Sequence, residues 1–463
     1  KPEFTGTGRF GNWLENMVHW NLSRSRFWGT PLPVWSTSDR REMKCVGSVA
    51  ELKTEIEGSL KAGLMKKIPW NSWEDLDLHK PYVDEVVLVS AHGEPMYREP
   101  DLVDVWFDSG AMPYAQRGLD YEKLRRGDPR PFKGDFERNF PADFVCEGVD
   151  QTRGWFYTLH AIAGLLFDSV AYKTVVSNGL VLDKDGNKMS KRVGNVVDPF
   201  ETIERFGADA TRWYLITNAS PWDSLRFDTG GIVEVQRKLF NTLYNTYSFF
   251  AMYANLDGFT FSEPYIPVSE RPEIDRWILS SLHSLVGEAT AQLDAYEPTR
   301  AGRAIQEFVD EQLSNWYVRL CRRRFWKPAG EGEAAARDKV SAYQTLYECL
   351  ETVVRLMAPV APFFTDWLYR NLNGASGKDQ AVSVHHTAWP KVDQAVVDSA
   401  LEERMRLAQD ISSLVLSLRK RVPGPDGTTG IKVRQPLQKL LIPVTGEHMQ
   451  KQIEGVSGLI THE

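Results

Sequence analysis

The sequence predicts an α/β region followed by an all-α region, and two observations carry that reading. Between Asp101 and Asp183, apolar runs of strand length (Leu102 to Phe107, Asp143 to Cys146, Thr174 to Val181) surround a helical stretch from Thr152 to Phe167. Strand, helix, strand in that order implies a βαβ unit and a parallel sheet. After Pro199 the helical period dominates. Ile305, Phe308, Val309, Leu313, Trp316, Tyr317 and Leu320 recur at three- and four-residue steps, as do Met405, Ile411, Val415 and Leu418, which makes them core faces of bundled helices.

The 463 residues exceed one ordinary core, and three packed units are expected. With 42% hydrophobic and 25% charged residues, the composition is that of a soluble globular protein. No apolar run approaches the ~20 residues that span a bilayer, and no basic segment leads into an apolar one at Lys1, so a soluble, unsecreted, cytoplasmic chain is expected. Cys45, Cys146, Cys321 and Cys349 lie far apart with no CxxC pair, which fits a reducing compartment. The net charge of −7 does not advertise nucleic-acid binding, so any RNA surface must be local. The chain opens in an unpatterned segment and stops just after the apolar run Val456 to Ile460, which reads as a cut at both ends.

Gly11 to Trp35 is dense in aromatics and ends in Gly29-Thr30-Pro31-Leu32-Pro33, whose prolines forbid regular helix. Mixed charges and frequent turns from Ser36 to Pro100 read as an inserted surface module. Breaks are expected at Asn255 to Pro272, Ala329 to Gly332, Asn373 to Gly377 and Pro423 to Gly427.

Three motifs carry chemistry. In Lys188-Met189-Ser190-Lys191-Arg192, two lysines three apart beside glycines could gather triphosphate oxygens and neutralise charge as pyrophosphate leaves; the same residues also fit a solvated charged turn. A calcium loop fails there, because Lys188 and Gly194 stand where such a loop needs Gly and Glu. Glu147-Gly148-Val149-Asp150-Gln151-Thr152-Arg153-Gly154-Trp155 sits where a strand gives way to a helix, the ligand crevice of a doubly wound sheet. Asp150 and Gln151 offer a carboxylate and an amide to an ammonium group or ribose hydroxyls; alternatively Asp150 or Thr152 caps the helix and Trp155 packs in the core. Asp104-Val105-Trp106-Phe107-Asp108-Ser109-Gly110 is read as another strand ending in polar residues and glycine, with Trp106 either walling an apolar pocket or buried as core.

In this order and local context the three motifs resemble the class I aminoacyl-tRNA synthetases, and their isoleucyl branch in particular. Lys188 to Arg192 is similar to the KMSKS loop, with Arg192 in place of its final serine, a variant that points to the eukaryote-like isoleucyl enzymes. Leu22 to Pro33 resembles the segment where the chain returns to the catalytic domain after the editing insertion. Asp104 to Gly110, Met112 to Gln116 and Glu147 to Trp155 resemble the isoleucyl rather than the valyl or leucyl relatives. The fold so implied is the second half of a Rossmann-like parallel-sheet catalytic domain followed by an α-helical bundle that binds the anticodon.

The resemblance implies an isoleucine tRNA ligase: Glu147, Gly148, Asp150 and Gln151 contact the aminoacyl-adenylate, Trp106 and Trp155 flank the isoleucine side chain, and Lys188, Ser190 and Lys191 handle ATP, with Lys188 and Lys191 catalytic. ATP with Mg2+, isoleucine and tRNA(Ile) are the implied substrates, for a monomer with no membrane contact. Two departures matter. The family's His-x-x-His cannot be present, since none of the nine histidines has a partner three residues away, so this chain alone is expected to be inactive. The editing insertion is absent too, and with it double-sieve correction. Some relatives bind zinc through two cysteine knuckles; here only Cys45 stands in that region, with Ser90 and His92 at the second knuckle, so no zinc is expected.

Two basic groups are candidates for tRNA phosphates: Arg319, Arg322, Arg323 and Arg324 at a helix end, and Arg419, Lys420, Lys432 and Arg434 around a Pro/Gly turn. A solvated face, or cations suited to a helix C-terminus, explains them equally. The domain scheme expected is a returning segment 1–35, an inserted module 36–100, a catalytic half 101–225, a helical anticodon-binding domain 226–395 and the start of a C-terminal domain 396–463. A catalytically silent tRNA-binding paralogue, or a valyl enzyme, is the rival reading.

Overall fold

The computed structural model describes residues 1–128, 130–327, 332–422 and 430–462, and its internal contacts divide it into two units, Lys1–Leu180 and Val181–Glu463. The strands of the first unit are β1 (Ser23–Arg24), β2 (Val34–Thr37), β3 (Met43–Cys45), β4 (Val87–Val89), β5 (Pro95–Arg98), β6 (Leu102–Val103), β7 (Ala142–Gly148) and β8 (Tyr172–Asn178).

Residues 34–98 fold around a core of their own. Strands β3–β2–β5–β4 form an antiparallel sheet, and helix α1 (Val49–Lys61) lies on it, with Trp35, Leu52, Ile56, Val86, Leu88 and Met96 buried between. The ends of this lobe are held together by Arg98, whose guanidinium is buried, pairs with Asp84 at 2.5 Å and donates to the carbonyls of Leu32 (3.3 Å) and Asp101 (3.1 Å). A buried cation needs such partners, and here they are the two backbone segments where the lobe begins and ends.

The predicted βαβ unit is present. Strands β7 and β8 pair in parallel, in register from Ala142 opposite Tyr172 to Gly148 opposite Asn178. Between them the chain makes a 3-10 turn (Val149–Arg153) before helix α2 proper (Trp155–Phe167). Ala163, Phe156, Leu159 and Ile162 bury one side of that helix against Tyr114, Phe132, Phe136 and Phe140.

Three expectations need correction. The run Leu102 to Phe107 is a strand only at Leu102–Val103 (β6): Asp104 then accepts the N–H of Trp106 (3.2 Å) and starts a helix, Val105–Gly110, that carries Trp106. The run Thr174 to Val181 splits, since β8 ends at Asn178 and Val181–Leu182 (β9) lies in the second unit, parallel to Leu225–Arg226 (β10). No sheet among the described residues has more than two parallel strands, so the chain is mostly helical with small sheets rather than built on a broad parallel one.

The second unit is a helical assembly around one large core. Its principal helices include Glu273–Asp294, a continuous helical line from Pro298 to Trp326, Glu333–Met357, Pro362–Ser376 and Ser399–Arg421. Of the periodic positions, Ile305, Phe308, Val309, Leu313, Trp316, Tyr317, Met405 and Ile411 are buried, but Leu418 is 56% exposed near the end of its helix. The expected break at Asn373 to Gly377 is narrower than predicted: the helix runs to Ser376 and only Gly377, at φ +61°, stops it. Of the expected break Ala329 to Gly332 only Gly332, at φ +123° before the helix Glu333–Met357, is among the described residues, and the expected break Pro423 to Gly427 lies outside them.

At the centre of this core Asp275, fully buried, accepts hydrogen bonds from Tyr317 (2.8 Å), Ser341 (2.6 Å) and both terminal nitrogens of Arg324 (2.6 and 2.8 Å). Arg324 also pairs with Asp338 at 2.8 Å. Removing one member of a buried pair strands the other charge, so Arg324→Met should lower the unfolding free energy by about 3–5 kcal/mol. Chemical denaturation checks this, and a loss under about 1 kcal/mol would contradict the structural role.

Candidate active site

In the first unit the chain leaves β7 through Glu147 and Gly148. Thr152 is buried; its hydroxyl donates to Val149 O (2.7 Å) and accepts from Arg9 Nε (2.9 Å), which fixes the turn. Gln151 does the work expected of Asp150 or Thr152 at the helix start, its Oε1 accepting the N–H of Trp155 at 3.0 Å, while its Nε2 donates to Asp150 (3.1 Å). The carboxylates of Glu147 and Asp150 remain exposed at the strand end.

Two glycines let these groups converge. A Cβ on Gly148 would stand 2.7 Å from the Asp150 carboxylate, and one on Gly154 would stand 2.8 Å from Gln151 Oε1 and 3.0 Å from the ring of Trp106. Only a residue without a side chain leaves Trp106 and Gln151 room at that point. Trp155 donates its indole N–H to Ser109 O (3.1 Å), which ties it to the helix bearing Trp106. The result is an arrangement of two indoles and an amide with the Asp150 carboxylate bonded to that amide, and with exposed Glu147 three residues earlier in the chain, a chemistry suited to an apolar group carrying an ammonium.

Asp104, which the sequence offers only as part of a strand, anchors that helix. Its carboxylate, 3% exposed, caps Trp106 with one oxygen and with the other accepts from Trp20 Nε1 (2.9 Å) and Arg24 (2.6 Å). Asp108 accepts from the Thr30 hydroxyl at 3.1 Å, and burial raises its carboxyl above the ordinary range, with Asp104 nearby adding to the effect.

The loop after β9 belongs to the second unit. Asp183 organises it, accepting the N–H groups of Asp185 (3.0 Å) and Asn187 (2.7 Å), and Gly186 turns at φ +87° where a Cβ would approach the Arg226 guanidinium at 3.2 Å. Hydrogen bonding from Asn195 and from the Asn187 N–H holds the Asp183 carboxyl below its usual range. The spacing that failed as a calcium loop is thus a turn anchor. Met189 packs on the core of the unit, Ser190 is half-buried and its Oγ accepts the Arg192 N–H at 3.2 Å, and Lys188 and Lys191 are exposed and form no ion pair among the described residues.

The basic candidates fare unequally. Arg324 is committed to Asp275 and Asp338 and so is withdrawn from the phosphate group. Arg419 is turned to the carbonyls of Lys432 (3.2 Å) and Gln435 (2.8 Å), while Lys420, Lys432 and Arg434 are exposed. Arg319, Arg322 and Arg323 are exposed as well; Arg319 donates to Asn315 O (2.8 Å) and lies over the Trp316 ring. In the lobe where relatives with zinc carry cysteine knuckles, Cys45 is exposed on β3, Ser90 accepts the N–H groups of His92 and Glu94 in a turn, and His92 faces Glu42 at 3.5 Å.

Residues 1–228 match the family described as tRNA synthetases class I (I, L, M and V), and residues 275–440 match the anticodon-binding domain of tRNA ligase. Isoleucine–tRNA ligases of Cytophaga hutchinsonii and Bacteroides fragilis are 60% and 57% identical to it, each across 100% of this chain. The chain is similar to isoleucine–tRNA ligases along its whole length. It spans about 40% of the length of those curated relatives. They are bacterial, and the eukaryote-like assignment suggested by Arg192 finds no support among them. In fold, the chain is similar to the LeuRS of the Agrobacterium radiobacter LeuRS–tRNA–LeuAMS ternary complex, with a TM-score of 0.56 at 20% identity over 84% of this chain and 45% of that one. No helix among its described residues is long and apolar enough to cross a membrane.

Proposed function

We propose that the native protein carrying this chain is an isoleucine tRNA ligase, and the observation that carries the reading is the convergence of Trp106, Gln151 and Trp155 at Gly154 beside the open carboxylates of Glu147 and Asp150. In the first step the isoleucine carboxylate attacks the α-phosphate of ATP, forming isoleucyl-adenylate and releasing pyrophosphate. Glu147 and Asp150 hold the ammonium group, and Trp106 and Trp155 flank the aliphatic side chain. Lys188 and Lys191, with Ser190 between them, meet the phosphates of ATP, which enters with Mg2+, and offset the charge that grows on pyrophosphate. In the second step a hydroxyl of the terminal ribose of tRNA(Ile) attacks the acyl carbon and AMP leaves.

For tRNA phosphates the proposal keeps Arg319, Arg322, Arg323, Lys420, Lys432 and Arg434. The protein is proposed to be monomeric and cytoplasmic. It is also proposed to hold no zinc, because Ser90 and His92 replace the second pair of thiolates; one stoichiometric zinc per chain on elemental analysis would overturn that. Charging of tRNA(Ile) with isoleucine by the native protein tests the whole reading. Binding of tRNA without charging would favour the silent paralogue, and charging with valine on tRNA(Val) would favour a valyl enzyme.

A further inference from the structure

We propose that Asn195 is the positioning residue of the phosphate-binding loop, gripping the backbone on both sides of Met189 so that Lys188 and Lys191 are preset before ATP arrives. The inference rests on the activation reading above. Asn195 Oδ1 accepts the N–H of Ser190 at 2.9 Å, and its Nδ2 donates to Lys188 O at 3.3 Å and to Asp183 Oδ2 at 2.8 Å. The other oxygen of Asp183 holds the N–H groups of Asp185 and Asn187. One amide and one carboxylate therefore join the turn before the lysines to the backbone that carries them, while Met189 is drawn onto the core.

The physical need is plain. Two exposed ammonium groups three residues apart repel one another, and a loop left to itself would spread them and would have to be ordered when the phosphates bind. A loop closed in advance spares that ordering and aims its charge at the transition state. Asn195 itself bears no charge and acts only through Lys188 and Lys191.

In the native protein, Asn195→Ala should lower kcat for adenylate formation roughly 10- to 100-fold, with KM for isoleucine changed less than about threefold. Asn195→Asp keeps the acceptor for Ser190 but sets a carboxylate against Asp183, and should be at least as damaging. Reversing the pair, with Asp183→Asn added to Asn195→Asp, restores a donor facing an acceptor at position 183 but leaves Lys188 O without its donor, and should recover part of the rate. A role in stability alone would instead show as a lowered Tm without this reversal. An Asn195→Ala enzyme within about threefold of wild type, or a double variant no better than Asn195→Asp, overturns the proposal. Amide hydrogen exchange of the native protein supplies an arm independent of activity: the Ser190 and Asn187 N–H groups should exchange faster in Asn195→Ala, and unchanged protection overturns the proposal even if the wild type supports no isoleucine-dependent reaction. That last result would sink the activation reading by itself.

Discussion

The purified 463-residue chain should catalyse no isoleucine-dependent exchange of pyrophosphate into ATP, although the native protein that carries it should do so readily. The reasoning is one of missing groups. None of its nine histidines forms the His-x-x-His that the resemblance places in the other part of the catalytic domain. Lys188 and Lys191 can neutralise charge, but none of the residues proposed to act holds the adenine or aligns the α-phosphate for attack. Alignment of reactants is worth up to roughly 7–11 kcal/mol in well-oriented systems, and its loss would push the rate below any assay background. Exchange measured with radiolabelled pyrophosphate checks this directly. Robust exchange by the 463-residue chain would mean that the ATP-handling residues are wrongly assigned.

Lys191→Ala, made in the native protein, should lower kcat for adenylate formation by roughly two to three orders of magnitude, with a much smaller change in KM for isoleucine. Lys191 is exposed and unpaired among the described residues, so its ammonium is available and its removal leaves no buried group stranded. Its attraction to the phosphates strengthens as negative charge gathers on the departing pyrophosphate, which places the effect in the transition state. The residues proposed to hold isoleucine lie on other elements and are untouched. A solvated loop lysine would behave otherwise, costing little in either rate or stability. Pre-steady-state adenylate formation within about threefold of wild type would remove Lys191 from the mechanism.

How far the sequence could be read depended on whether the determining contact was local. The change of period from alternating runs to helical steps is local, and the βαβ unit around Trp155–Phe167 follows from it. Trp106 was misplaced because a six-residue apolar run serves a strand and a short helix alike, and the deciding contact is Asp104 capping the Trp106 N–H while its other oxygen binds Trp20 and Arg24, 84 and 80 residues away. Arg324 looked like one of four similar arginines. Its neutralising partner Asp275 lies 49 residues earlier and is fully buried, which nothing in the spacing of the cluster reveals. The role of Asp183 was nearer the surface of the sequence: the turn-rich run Asp183-Lys184-Asp185-Gly186-Asn187 lacks the residues of a calcium loop and is a turn anchored by its first carboxylate. Leu418 shows the converse error, since it continues the helical period of Met405 and Ile411 and yet stays exposed.

The central claim is that the edge formed by Trp106, Gln151, Trp155, Glu147 and Asp150 selects isoleucine for activation. The most direct test is amino-acid-dependent ATP–pyrophosphate exchange by the native protein, across a panel of amino acids, for wild type and Trp106→Ala. Isoleucine should support the highest kcat/KM, valine should follow because it fills less of the space between the indoles, and Trp106→Ala should raise KM for isoleucine while leaving KM for ATP nearly unchanged. Exchange driven best by valine, leucine or methionine, or an isoleucine KM unmoved by Trp106→Ala, would contradict the assignment.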